Sequence, residues 1–394
     1  ASVTDEANAF ALALQEDTTA TFGAVTFNGH LDVNGLETFA AATHELIFLD
    51  GATVVADMDF VQAGDLVLGN DAGDQFLFDG GLDTGDALAD GRGVLELAGE
   101  IRTNSRRMDV GDATLVAATA LSSDAAVLEI LSLDGAGQTL TLQVTDATGN
   151  VRILNDSTVG TLNTVAGDYD VSLNASATGG TATELGVADF AHTGLLTFGN
   201  ESGDELDFAA GVDTTTGPLA TVLGGELVTN GATDLGAVRL TAGTVNRITS
   251  NDSAVTLGAI TGNGSELGLD AGAGRITGTS ASGVSLLTIL NAEDSSPGAG
   301  DALMFSGDVA ATTVDLNNAV GGTGATYTFD GQLMAGALEV DLDGGGEVAF
   351  DLALNGGAAI TGPSLTTLDN SGLVRFGDDG DVATFASGVL ATAP

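Results

Sequence analysis

Along most of the chain apolar and polar residues alternate with a period of two. Tyr169, Val171 and Leu173 interleave with Asp168, Asp170, Ser172 and Asn174, and Leu338, Val340 and Leu342 with Glu339, Asp341 and Asp343. Val348, Phe350, Leu352 and Leu354 likewise alternate with Glu347, Ala349, Asp351 and Ala353. That is the period of a β-strand with one dry face and one acidic face. Asn-Gly and Asp-Gly pairs punctuate the strands, as in Phe27-Asn28-Gly29, Leu49-Asp50-Gly51, Phe329-Asp330-Gly331 and Leu354-Asn355-Gly356. Such pairs accept the positive φ that tight turns demand. Three Ala- and Leu-rich runs, residues 5–14, 112–121 and 284–290, are the helical candidates. The first of these reads as a short helix capped by Thr4 or as an extended arm.

One phrase occurs three times. Leu66-Val67-Leu68-Gly69-Asn70-Asp71-Ala72-Gly73-Asp74-Gln75-Phe76-Leu77-Phe78 returns from Leu196 as Thr197-Phe198-Gly199-Asn200-Glu201-Ser202-Gly203-Asp204-Glu205-Leu206-Asp207-Phe208. With one residue fewer it recurs as Val374-Arg375-Phe376-Gly377-Asp378-Asp379-Gly380-Asp381-Val382-Ala383-Thr384-Phe385. Each copy reads as strand, acidic Gly turn, strand, which is one unit of a repetitive β structure. Gly69, Gly199 and Gly377 are separated by 130 and then 178 residues. Tandem β-sandwich domains, the alternative, recur at constant length, so uneven spacing favours an all-β parallel solenoid with coils of roughly 20–25 residues. The predicted organisation is an arm or short helix over residues 1–20, a solenoid over 21–292, and its continuation over 302–394. The break between the last two falls at Glu293-Asp294-Ser295-Ser296-Pro297-Gly298.

Charge narrows the function. The 394 residues carry 55 Asp and Glu against nine basic residues, all Arg, for a formal net charge of -46. Nucleic acid and anionic membrane surfaces would repel such a chain. Hydrophobic residues make up 43%, too many for a disordered acidic tail, so the chain folds. There is no Cys, hence no disulfide, thiolate metal site or cysteine nucleophile. No stretch approaches the ~18 apolar residues of a membrane helix. A first residue Ala1 is what removal of a secretory signal leaves, which suggests an extracellular or cell-surface location. The absence of Lys at this charge also fits adaptation to high salt.

The phrase, together with the Thr, Val, Asn and Gly cadence of Leu240-Thr241-Ala242-Gly243-Thr244-Val245-Asn246, resembles bacterial β-strand-repeat surface proteins, the parallel β-helical autotransporter passengers and filamentous-haemagglutinin-like adhesins. The likeness implies an extracellular β-solenoid without enzymatic activity. Its third phrase is followed by no further strand in the sequence, which predicts an uncapped last repeat and head-to-tail self-assembly into a filament, tube or sheath. Phe376, Phe385 and Val389 at one end, and Phe22, Val25 and Phe27 at the other, are the predicted junction. A β-helical adhesin or surface-layer component binding a host or matrix ligand is the first alternative, and a cell-surface or matrix polysaccharide is the expected partner besides the chain itself. A carbohydrate-active β-helix enzyme is the second.

Catalytic signals are weak. His30, His44 and His192 stand in no metal-ligand spacing, and the Arg102, Arg106 and Arg107 cluster reads as ion-pair partners. Carboxylates flank the phrase turns instead: Asp71 with Asp74, Glu201 with Asp204, and Asp378 and Asp379 with Asp381. Hard oxygen ligands of this kind suit Ca²⁺, and the first set resembles the calcium nonapeptide of RTX proteins. Asn155, Asn174, Asn200, Asn251 and Asn263 head Asn-x-Ser sequons.

Overall fold

A computed structural model describes residues 3–4, 11–14, 23–39, 43–84, 93–104, 106–124, 127–176, 182–293, 301–317, 325–340, 350–378 and 380–391. Among them there is no helix, and the strand ladders run parallel. The fold is the predicted parallel β-solenoid, not a series of β-sandwiches. The chain divides into two compact units, residues 1–176 with 181–195, and residues 177–180 with 196–394. The proposed break at residues 294–300 lies outside the described residues.

In the first unit each turn of the chain lays a strand on the one before. Leu31–Val33 pairs with Ala52–Val54, which pairs with Gln75–Phe78, which pairs with the second half of Leu95–Thr103. Along this column the register steps from Leu31 to Ala52, from Phe76 to Ile101 and from Ile101 to Leu121, so these coils take between 20 and 25 residues. Because parallel pairing keeps parity, every second residue of each strand points to the same interior column. Leu31, Ala52, Phe76, Ile101 and Leu121 form one such column and all are buried. Full burial of a Leu or Phe side chain contributes about 1.5–3 kcal/mol, so the columns dominate the stability of the stack.

The second unit repeats the scheme. Val212, Thr233, Val255, Ile276, Leu303, Tyr327, Leu352 and Val374 follow one another in register. Beside them Phe305 stacks on Phe329 at 5.8 Å, and Leu354 and Phe376 continue that column. The alternation read from sequence survives as burial: Tyr169, Val171 and Leu173 lie inside, as do Phe350, Leu352 and Leu354.

The helical expectations fail. Residues 112–121 lie within Met108–Ser123 and residues 284–290 within Ile276–Asn291, both strands. Ala113, Leu115, Thr119 and Leu121 are buried, with more exposed residues between them, and Leu287 and Ile289 likewise. Pairing on both sides outweighs the few tenths of a kcal/mol per residue by which Ala and Leu favour helix. Each of these long strands turns a corner of the solenoid where its register shifts, between Thr114 and Thr119 and between Ser282 and Val284. Of the opening run, Ala11–Ala13 is extended and lies parallel on Gly35–Glu37, while Val3–Thr4 lies on Leu31 and Asp32. These described residues rest on residues 31–37 of the same chain.

The Asn-Gly and Asp-Gly pairs sit at corners for a different reason than the one expected. Gly51 does adopt positive φ (95°), but Gly331 and Gly356 do not. They are glycine because backbone stacks on backbone there. A Cβ on Gly331 would come within 2.2 Å of the Gly307 carbonyl carbon, and one on Gly356 within 2.4 Å of that of Gly331.

Candidate functional site

The repeated phrase folds the same turn each time. After Leu66–Leu68 the chain reverses at Gly69 (φ 85°), and Asn70 N and Asp71 N donate to Asp74 Oδ2 at 2.8 and 3.1 Å. In the second copy Gly199 (φ 67°) reverses the chain, and Asn200 N and Glu201 N donate to Asp204 Oδ2 at 2.7 and 3.1 Å. Asp74 and Asp204 are both buried. A buried carboxylate that accepts two backbone amides is a turn-former, since those amides have no ladder partner at the corner. Asp71 Oδ1 accepts Gly73 N at 2.7 Å in the same way.

The next coil closes each of these turns. Glu100 N donates to Asp74 O and Glu226 N donates to Asp204 O, each at 2.8 Å. The residue before each donor is glycine, and for cause. A Cβ on Gly99 would fall 2.3 Å from Asp74 O, and one on Gly225 2.4 Å from Asp204 O.

In the third copy no described residue takes the place of Glu100 or Glu226. Gly377 takes φ 72°, and Asp378 N reaches Asp381 Oδ2 at 3.5 Å. Val374–Phe376 pairs with residues 352–354, Ala383–Phe385 with 358–360, and Val389–Ala391 with 366–368. Their opposite edges have no partner strand among the described residues. Phe376 is 42% exposed and Val389 39%, while Phe385 is half-buried with its ring edge-on to Phe376 at 5.4 Å. In the first unit Phe27 stacks on Phe48 at 5.0 Å and Val25 is half-buried. Val25–Phe27 pairs with Leu46–Phe48 on one side only among the described residues. Phe22 and Asp379 lie outside the described residues.

Sequence reasoning missed the rim of the third phrase. Leu365, Leu373, Val382 and Leu390 are all exposed. The signal was available by aligning the copies. Gln75 and Glu205 correspond to Val382, and Asp83 and Asp213 correspond to Leu390, so two outward positions that are polar in the earlier copies are apolar in the last.

Several of the remaining candidates have structural partners. Among the described residues no group of three His, Asp or Glu side chains is arranged to hold a metal ion. His30 Nε2 lies 3.0 Å from Thr53 Oγ1. His192 is fully buried, with Nδ1 3.0 Å from Thr164 Oγ1 and its ring on Tyr169, and burial pushes its pKa down to about 4. It is a neutral core residue. Arg107 bonds Asp109 and Glu129, Arg152 bonds Glu129, and Arg102 faces Glu100 at 3.6 Å, which fits the ion-pair expectation. A groove of about 430 Å³ beside Arg102 is lined by His30, Thr53, Gln75, Glu100 and Asn104. Asn174 is buried and its Oδ1 accepts from Thr183 Oγ1, so that sequon is closed to a glycan. Compared with known proteins, the chain matches no family model, no curated protein and no solved structure.

Proposed function

We propose that this protein is a structural subunit of an extracellular filament, tube or sheath, assembled by stacking coils of successive copies, as befits the exported β-helical surface proteins its sequence resembles. The observation that supports the reading is the third phrase. It repeats the turn that a following coil covers in two earlier copies, and among the described residues its strands are paired on one side, with Phe376, Val389 and Leu390 exposed. An open parallel edge takes up another strand by backbone pairing, and a contact between unlike ends adds subunits without closing. The acidic outer faces keep such an assembly soluble and separate from its neighbours.

Purified protein spanning residues 1–394 is expected to form filaments or tubes of uniform width in negative-stain microscopy. Phe376→Asp combined with Val389→Asp is expected to leave single particles at the same concentration with unchanged circular dichroism, because each copy would bury two uncompensated charges at the junction. Discrete particles from the wild-type chain under every condition would overturn the reading. Since Asp74 and Asp204 already hold backbone amides, assembly is expected with or without Ca²⁺. Filaments seen only in millimolar Ca²⁺ would assign the ion a bridging role instead.

A further inference from the structure

We infer that a groove on the outer face of the first unit, running along the stack from His30 to Arg102, is a binding site for a neutral glycan. The inference goes beyond the assembly reading and does not depend on it, since every residue that forms the groove lies on successive coils of one chain.

One glycine opens the groove. Leu31, Ala52, Phe76 and Ile101 point inward in register, so the residues before them, His30, Gly51, Gln75 and Glu100, belong to one outward column. Gly51 has to be glycine: its φ is 95°, and a Cβ there would fall 2.0 Å from the Gln75 carbonyl oxygen. The wall of side chains therefore has a gap at its second rung. The residues after the same inward positions, Asp32, Thr53, Leu77 and Arg102, form the neighbouring outward column. Between the two columns lies a trough of about 430 Å³, which Asn104 also lines. Coils stacked ~4.8 Å apart make the four rungs span roughly 14 Å.

Contacts inside the trough set its side chains. His30 Nε2 lies 3.0 Å from Thr53 Oγ1, so the ring reaches diagonally across the gap. Asn104 Nδ2 donates to Asp79 Oδ1 at 2.6 Å. Arg102 faces Glu100 at 3.6 Å, a looser hold than the contacts under 3 Å that Arg107, Arg152 and Arg247 make with carboxylates.

The chemistry of this lining suits hydroxyl groups. Gln75, Glu100, Arg102 and Asn104 each end in a planar group with at least two polar atoms, a shape that bonds adjacent hydroxyls in pairs. Leu77 and the Thr53 methyl present apolar surface between them, which suits the C–H face of a sugar ring.

Charge then selects among ligands. Glu100 and Arg102 cancel, Asp32 continues the second column, and the chain as a whole carries -46, so an anionic glycan is repelled. A cationic ligand has a better place, since a larger groove of about 530 Å³ holds Asp112, Asp134, Asp156 and Glu184 and no Arg. Another, of about 500 Å³, is walled mainly by Gly, Ala, Ser and Thr and offers no planar polar side chain.

The test titrates the chain by calorimetry, below the concentration at which it scatters light, with tetrasaccharides of glucose, mannose, galactose, xylose and N-acetylglucosamine and with tetragalacturonate. At least one neutral tetrasaccharide is expected to bind, and more tightly than its disaccharide, whereas tetragalacturonate is not. Arg102→Ala and Gln75→Ala are each expected to weaken that binding about fivefold or more with unchanged circular dichroism, the effect of losing one hydrogen-bonding group. Gln143→Ala, two coils beyond Arg102 on the same outward column, is expected to change nothing. Binding that survives both groove substitutions, or that Gln143→Ala lowers equally, overturns the site. No binding of any neutral tetrasaccharide, or a preference for tetragalacturonate, overturns the proposal. Because the titration reads unassembled protein, filaments seen or not seen bear only on the assembly reading.

Discussion

Asp204 illustrates how one side chain makes a corner possible. Its Oδ2 accepts two amides that the ladder cannot serve, and burial removes water as a substitute. Asp204→Ala is therefore expected to lower stability by about 1–3 kcal/mol in urea unfolding, the range for leaving buried polar groups unsatisfied. Asp381→Ala, at an exposed turn where Asp378 N lies 3.5 Å from Oδ2, is expected to cost less. A chelator added to the wild type should reproduce neither loss. The acidic Gly turn was legible in sequence, but carboxylates around a glycine serve amides and cations with the same oxygens, so residue type could not decide between them. His192 was equally opaque, because nothing local marks position 192 as interior. Its pKa falls to about 4 when folded, against the ordinary 6.5 unfolded, since burial disfavours the charged ring. Protonation thus favours the unfolded state, and stability present above pH ~6.5 drains away as pH falls toward 4. Relative to His192→Gln, the wild type is expected to lose about 3 kcal/mol between pH ~7 and ~4, read from paired urea titrations. Parallel curves for the two proteins would contradict a buried neutral imidazole.

At the scale of the element, period two was sufficient where each strand kept to one face. Tyr169, Val171 and Leu173, or Phe350, Leu352 and Leu354, were assigned inward from alternation alone and are inward. The reading broke where a strand rounds a corner. Met108–Ser123 pairs in two registers with Val127–Val144, so its alternation slips midway and its Ala-rich middle imitates a helix. Strand direction also has no local signature. A dipeptide such as Asp330-Gly331 suits a hairpin, yet here it marks a corner where Gly331 lies on Gly307 one coil earlier. Long-range contact, not turn propensity, fixes that glycine. What sequence did reveal about direction was the repeated phrase, since a unit that recurs with uneven spacing stacks on itself more readily than it pairs head to foot. The same comparison between copies exposes Val382 and Leu390, which alternation within one copy ranks as ordinary outward positions.

At the scale of the molecule, charge opposes the contact that the third phrase invites. Each copy carries a formal charge of -46, so two copies repel over a range set by ionic strength, about 30 Å at ~0.01 M salt and about 8 Å at ~0.15 M. The proposed junction holds several exposed apolar groups, Phe376, Val382, Val389 and Leu390 among them. Salt therefore weakens the repulsion between bodies while leaving the attraction at the ends intact. Assembly followed by light scattering is expected to be slow at ~0.01 M NaCl and to accelerate steadily toward ~0.5 M, with the critical concentration falling over the same interval. A junction held by ion pairs would respond in the opposite sense, because screening would erode the attraction itself. Arg375 is the one basic residue in the third phrase, so Arg375→Gln separates the cases. If apolar stacking carries the contact, the variant keeps the rising salt profile; if Arg375 carries it through an acidic partner, the profile flattens and assembly at low salt is lost.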